Sequence, residues 1–219
     1  MLTKSYIRTA GWLYIVIAVA GGFSIGILPT LIVETGDAAK TLANLSENTD
    51  LYRLGILGDI VVLLCEMALT VMLYHIFKPA SETLALIASY ARFAMVGVMA
   101  INILIGSLAL YVLGLSVPNP DMVLALFEAK QIGVYVWGLF FGLHLLALGT
   151  IILRFGLFPR LLGWMIGIGA FGYVLEGTSK LAFFEHPLLT WAVIALLVLV
   201  TFGELAFAIW LIVKGRVLA

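Results

Sequence analysis

Long apolar runs, broken by short polar stretches, set the pattern of this chain. Six runs are long enough to cross a bilayer, which takes about 20 residues. They fall at roughly 7–32, 52–77, 83–114, 132–153, 160–182 and 188–213. Pro79 and Ser81 separate the second from the third, and Pro118 and Pro120 follow the third. Pro159 opens the fifth and Pro187 the sixth, positions where a missing N–H costs a helix little. Within lipid an open strand leaves backbone groups unpaired, so these runs predict helices. The apolar–polar alternation of a membrane β-barrel is absent. The expectation is one domain over residues 1–219, an all-α integral membrane protein built as a bundle of six transmembrane helices. Lys4, Arg8 and the small residues Ala18-Val19-Ala20 resemble a signal peptide. The apolar run continues to about Ile32, however, so a retained first helix is expected.

Composition sharpens this. Of 219 residues, 63% are hydrophobic and 11% charged, and the mean hydropathy is +1.18. Soluble domains are about half apolar and a quarter charged. Twelve basic and twelve acidic residues cancel, which leaves no basic face or motif for nucleic acid. One cysteine, Cys65, excludes an internal disulfide and a multi-cysteine metal site. Neither a metal nor a cofactor is expected. The expected partner is the bilayer itself, with a small-molecule or lipid ligand.

Basic residues orient the bundle. With the N-terminus inside, Lys4, Arg8, Lys78, Arg154, Arg160, Lys214 and Arg216 fall on the cytoplasmic side, and Lys40, Arg53, Lys130 and Lys180 outside. Seven against four favours both termini in the cytoplasm, and the expected location is a bacterial inner membrane. The acids Glu34, Asp37, Glu47, Asp50, Asp121, Glu128 and Glu185 then lie outside. Within 34–50, Asp37 is a candidate N-cap before good helix formers and predicts a short external helix.

Two sequence motifs do not carry their usual chemistry. Gly167-Ile168-Gly169-Ala170-Phe171-Gly172 matches G-x-G-x-x-G, but no strand precedes it. With Gly163, Gly138 and Gly142 it predicts close helix packing. Gly22-Phe23-Ser24-Ile25-Gly26 matches G-x-S-x-G inside a span, where Ser24 is expected to bond back to its own helix. His75, His144 and His186 are too scattered for zinc, and no catalytic residue is assigned.

What remains is a set of polar residues inside apolar runs. GILGDIVVLLCEMALTVMLYHIF, residues 55–77, carries Asp59 and Glu66 seven apart and so on one helical face. At 1.5 Å per residue, Glu66 lies about 16 Å, Arg92 about 14 Å, His144 about 15 Å and Glu204 about 14 Å from the inner ends of their spans. These four form one expected layer. Asp59, Asn102 and Glu176 form a second, nearer the outside, rimmed by Arg53, Gln131, Tyr135 and Lys180. Glu176 and Lys180 are four apart and can pair along one helix. A buried charge in a bilayer costs a few kcal/mol or more, so partners on other helices are expected. Glu66 with Arg92 is the first such pair, because Arg offers a planar fork to a carboxylate. Intramembrane charges face cavities or one another. The expected role is therefore binding or transport of a small solute, ion or lipid at this polar site. An intramembrane enzyme and a structural or partner-binding subunit are the alternatives.

ETGDAAKTLANLSENTDLYRLGILGDI, residues 34–60, carries Gly36, Asp37, Ala38, Thr41, Asn44 and Leu45, then Tyr52, Arg53, Leu54 and Gly55. LYHIFKPASETLALIASYARFAM carries Lys78, Pro79 and Arg92. Further on stand Phe140, Phe141, Gly142, Leu143, His144 and Gly149, then Pro159, Arg160, Leu162 and Gly163. Together these stretches resemble the bacterial multi-pass membrane proteins grouped as domain of unknown function 4386. The resemblance implies a helical membrane protein and supplies neither substrate nor cofactor. It places Arg53, Arg92 and His144 inside the family's motifs. Tyr52 stands where phenylalanine is usual, and Leu45 where isoleucine is.

Overall fold

A computed structural model describes residues 2–184 and 186–216. The expected external position of Glu185 lies outside the described residues. Seven helices are present among them, six long and apolar enough to span a membrane. They are α1 (Lys4–Ile32), α2 (Ala38–Glu47), α3 (Thr49–Phe77), α4 (Glu82–Leu113), α5 (Pro120–Phe155), α6 (Arg160–Leu181) and α7 (Pro187–Lys214).

Local chemistry sets the boundaries. Thr3, Asp37, Ser81 and Asn119 cap α1, α2, α4 and α5 by accepting backbone N–H groups with their side chains. Asn119-Pro120 starts α5 about three turns earlier than its apolar run suggests, which turns part of an expected loop into helix. Gly156 ends α5 at φ 65°, a conformation that favours glycine. α1 is not uniform. Gly22–Ile27 is π-helical, and the Leu28 N–H reaches back to Phe23 O. Pro29 follows at once, and it has no N–H to continue an α-helical ladder. The wider turn leaves Ser24 buried with no partner for its Oγ. The expected bond back to its own helix is therefore not made.

The spans form a ring. Each packs on its neighbour in sequence, and α7 returns to α1. A Cβ at Gly215 would lie 3.1 Å from Arg8 Nε, so the two ends of the chain meet on one face, called here the terminal face. Lipid offers helices no hydrophobic reason to associate, so close van der Waals approach must hold them. Glycines provide it. A Cβ at Gly149 would lie 2.7 Å from Gly167 Cα, and one at Gly169 2.6 Å from Val200 Cβ. In the terminal half all six spans meet in one core, including Tyr14, Leu69, Met95, Phe141, Ile166 and Phe207. In the far half a smaller core joins α1 to α5, with Leu45 of α2 inside it and nothing from α6 or α7. Asn44 Nδ2 donates to Ile32 O at 3.1 Å and fastens α2 to the end of α1. The far half is thus packed on one side and looser on the other.

Candidate functional site

In the terminal half the structure brings together Glu66, Arg92 and His144, from α3, α4 and α5. All three are at most 2% exposed. Arg92 Nη2 lies 2.7 Å from Glu66 Oε2, an ion pair by distance rather than by hydrogen-bond geometry. Arg92 Nη1 lies 2.9 Å from His144 Nε2 and donates to the Tyr14 hydroxyl at 3.4 Å. His144 Nδ1 lies 2.9 Å from Ala88 O. A carbonyl only accepts and a guanidinium only donates. The imidazole is therefore neutral, with its proton on Nδ1 and its Nε2 lone pair turned to Arg92. Tyr14 and Phe141 cover the guanidinium at 5.2 and 5.8 Å, and Phe141 stacks on His144. The space beside this cluster is about 10 Å³, enough for a single water. Glu204, expected in the same layer, is half-buried on α7 within electrostatic reach of Arg92. It makes no hydrogen bond or ion pair among the described residues.

In the far half, Asp59 Oδ2 accepts from Lys130 Nζ at 2.9 Å. Lys130 O accepts from Asn102 Nδ2 at 3.2 Å. The ammonium lies 6.0 Å from the centre of the Tyr52 ring, whose hydroxyl donates to Gly106 O. Gly133 makes room here, since a Cβ at that position would overlap the Asn102 amide. Lys130 was expected on the outer side of the membrane. The early start of α5 brings it into the bundle instead, and three basic residues remain at the far rim.

Space distinguishes this layer. A cell of about 10 Å³ lies among Asp59, Asn102, Lys130, Met99, Val134 and Trp137. It shares Ile25, Lys130 and Val134 with a vestibule of about 380 Å³ between α1, α3 and α5. α1 and α5 are not ring neighbours, so the vestibule lies inside the ring. Ser24, Tyr52, Phe127, Glu128, Gln131 and Tyr135 are among its walls. Four buried polar atoms here lack a hydrogen-bond partner in the protein: Ser24 Oγ, Asp59 Oδ1, Asn102 Oδ1 and Trp137 Nε1. Trp137 stacks on Phe141 with centroids 4.8 Å apart, so an aromatic column fills the path from this floor to His144.

The remaining expected residues lie apart. Glu176 and Lys180 both line a pocket of about 100 Å³ near the far ends of α6 and α7. Arg53 is exposed and pairs with Asp50 at 2.9 Å on its own helix. It belongs to neither layer, because the rotation of α3 that buries Asp59 and Glu66 turns position 53 outward. Sequence reasoning missed Lys130, Ser24, Tyr14 and Trp137. The Asn119-Pro120 start signal, followed inward for ten residues, was the available pointer to Lys130.

A ring of six apolar helices with ionised groups held inside it is the architecture of an integral, multi-pass membrane protein. The profile of the family described as "Domain of unknown function (DUF4386)" matches residues 9–215, and the chain belongs to that family. It is also 27% identical over 166 residues to an uncharacterized protein of Archaeoglobus fulgidus, a match covering 75% of this chain and 85% of that one. No solved structure matches it.

Proposed function

We propose that this protein binds a small solute in the far-half vestibule, and that the Glu66–Arg92–His144 layer closes the terminal half beneath it. One observation carries this reading. Ser24 Oγ, with no partner in the protein, lines a space of about 380 Å³, and the unpartnered Asp59, Asn102 and Trp137 line the small cell that adjoins it. Leaving a buried polar group unpaired costs roughly 1–3 kcal/mol, and ligand pockets have this size and mixture of apolar wall and few polar groups. The inner layer lacks room for a ligand, so its role is to fix α3, α4 and α5 together. If the solute crosses the membrane, that layer and the aromatic column must part. An enzyme centred on His144 is disfavoured, because Arg92 and Ala88 O already occupy both ring nitrogens. The bias of basic residues supports cytoplasmic termini and a vestibule open to the exterior.

Thiol accessibility tests this. On a Cys65→Ala background, Gln131→Cys at the mouth and Val134→Cys near the floor should react with an impermeant hydrophilic reagent in whole cells. Thr70→Cys, beside the inner layer, should not. Reaction in inverted vesicles alone would reverse the orientation and leave the vestibule intact. If neither vestibule position reacts from either side, the binding reading is wrong.

A further inference from the structure

Resting on that reading, we propose that the solute is a small protonated amine whose ammonium donates to Asp59 Oδ1 and Asn102 Oδ1. The free atoms on the floor set the chemistry. Asp59 and Asn102 are 3% and 7% exposed, and each has one oxygen without a protein donor. Asn102 already spends its Nδ2 on Lys130 O, so its free end is the acceptor. Two acceptor residues lining one cell call for a donor with more than one N–H.

Charge narrows the class further. The charged side chains of the vestibule and its floor are Asp59, Glu128 and Lys130, two negative against one positive. Lys130 is already engaged with Asp59 Oδ2 at 2.9 Å. An anion would meet the free Asp59 oxygen, and a neutral solute would leave one negative charge uncompensated. A cation meets both demands. Tyr52, Phe127, Tyr135 and Trp137 supply aromatic surface, which attracts cations through the ring quadrupole. Lys130 itself is the internal precedent: a primary ammonium on this carboxylate, 6.0 Å from the Tyr52 ring centre. The floor cell of about 10 Å³ accepts a group the size of one water, which suits an ammonium head. The larger vestibule above it takes the body of the amine.

The experiment uses the purified full-length chain in detergent. Lys130→Met removes the tethered ammonium and leaves Asp59 unpaired, so the thermal midpoint should fall. Methylammonium and ethylammonium chloride should restore several degrees of that loss, in a saturable manner. Sodium chloride and acetamide at the same concentrations should not. The Asp59→Asn, Lys130→Met double variant should show no response. If Lys130→Met does not fold, Val134→Cys on the Cys65→Ala background gives an independent readout. Butylammonium should slow its labelling several-fold, and Asn102→Leu should weaken that protection. Equal rescue or protection by acetamide would mean a neutral donor, or an ordinary buried water, is what the floor accepts. Equal effects of sodium and alkylammonium would mean screening alone. Either result overturns the amine assignment. Labelling without amine protection also overturns it and leaves the vestibule reading standing. No labelling removes both.

Discussion

The two polar layers of this bundle contain similar residues and differ in how they are completed. In the terminal layer Arg92 is surrounded: Glu66, His144 and Tyr14 at its nitrogens, Tyr14 and Phe141 over its plane. In the far layer one ion pair, Asp59–Lys130, stands beside open space and four unpartnered atoms. Both layers answer the same cost, that of charge in a poorly solvating medium. The first is answered by contacts packed tightly around the charges, with Arg92 Nε and Glu66 Oε2 left without a hydrogen bond and room for a single water beside them. The second is answered in part, and on the proposed reading the remainder is where a ligand would gain its free energy. A charged residue inside a span therefore does not by itself mark a site; unfilled hydrogen-bonding capacity next to open space does.

The difference can be broken most forcefully at Arg92. Arg92→Gln leaves Glu66 charged in a dry site, and removing one partner of a buried pair costs roughly 3–5 kcal/mol. Glu66→Gln alone should also destabilise. Pairing the two changes should recover part of the loss, because neither charge is then left alone. Thermal unfolding of all four forms measures the coupling. Strictly additive losses would mean that the clasp is not a unit.

Asp59→Asn should cost less, about 1–3 kcal/mol, the range for a buried hydrogen-bonding group that loses its partner. The vestibule lets water reach Lys130 and soften the loss. A loss equal to that of Arg92→Gln would show the far floor to be as dry as the inner layer, and the contrast between them would vanish. Gly133→Ala probes the same floor sterically. The new methyl must displace the Asn102 amide, so Asn102 loses its bond to Lys130 O and the protein destabilises by about 1–3 kcal/mol, the usual cost of overpacking. An unchanged midpoint would mean that the floor is plastic.

How much of this the sequence discloses follows from what fixes each coordinate. Depth along a helix depends only on the rise per residue, so the shared level of Glu66, Arg92 and His144 was legible. Rotation about the helix axis is set by packing partners. That is why Arg53, at a plausible depth, turns out to pair with Asp50 on the outer surface. Glu204 has the right depth and reaches Arg92 only through space. Lys130 was hidden by composition: Asp121, Glu128 and Lys130 make 116–130 look like a loop with only the start of a helix, although Asn119-Pro120 opens a helix there. The π-helical turn was hidden for a related reason. Pro29 announces a missing N–H but does not say how the preceding turn will accommodate it.

The smallest expected effect separates the layers most finely. Ser24 and Thr70 are both buried hydroxyl residues inside spans. Thr70 Oγ1 donates to Glu66 O at 2.7 Å, so its hydroxyl is satisfied within its own helix. Ser24 Oγ sits at the vestibule wall with no protein partner. Removing a buried hydroxyl that bonds nothing in the protein relieves a cost of roughly 1–3 kcal/mol, so stability should not fall. Removing one that the solute uses should still weaken binding. Ser24→Ala should therefore hold or raise the thermal midpoint while reducing alkylammonium protection of Val134→Cys. Thr70→Ala should do the reverse, with a small loss of stability and unaltered protection. If Ser24→Ala destabilises as Thr70→Ala does, its hydroxyl is held within the protein, and the vestibule has one fewer group to offer a ligand.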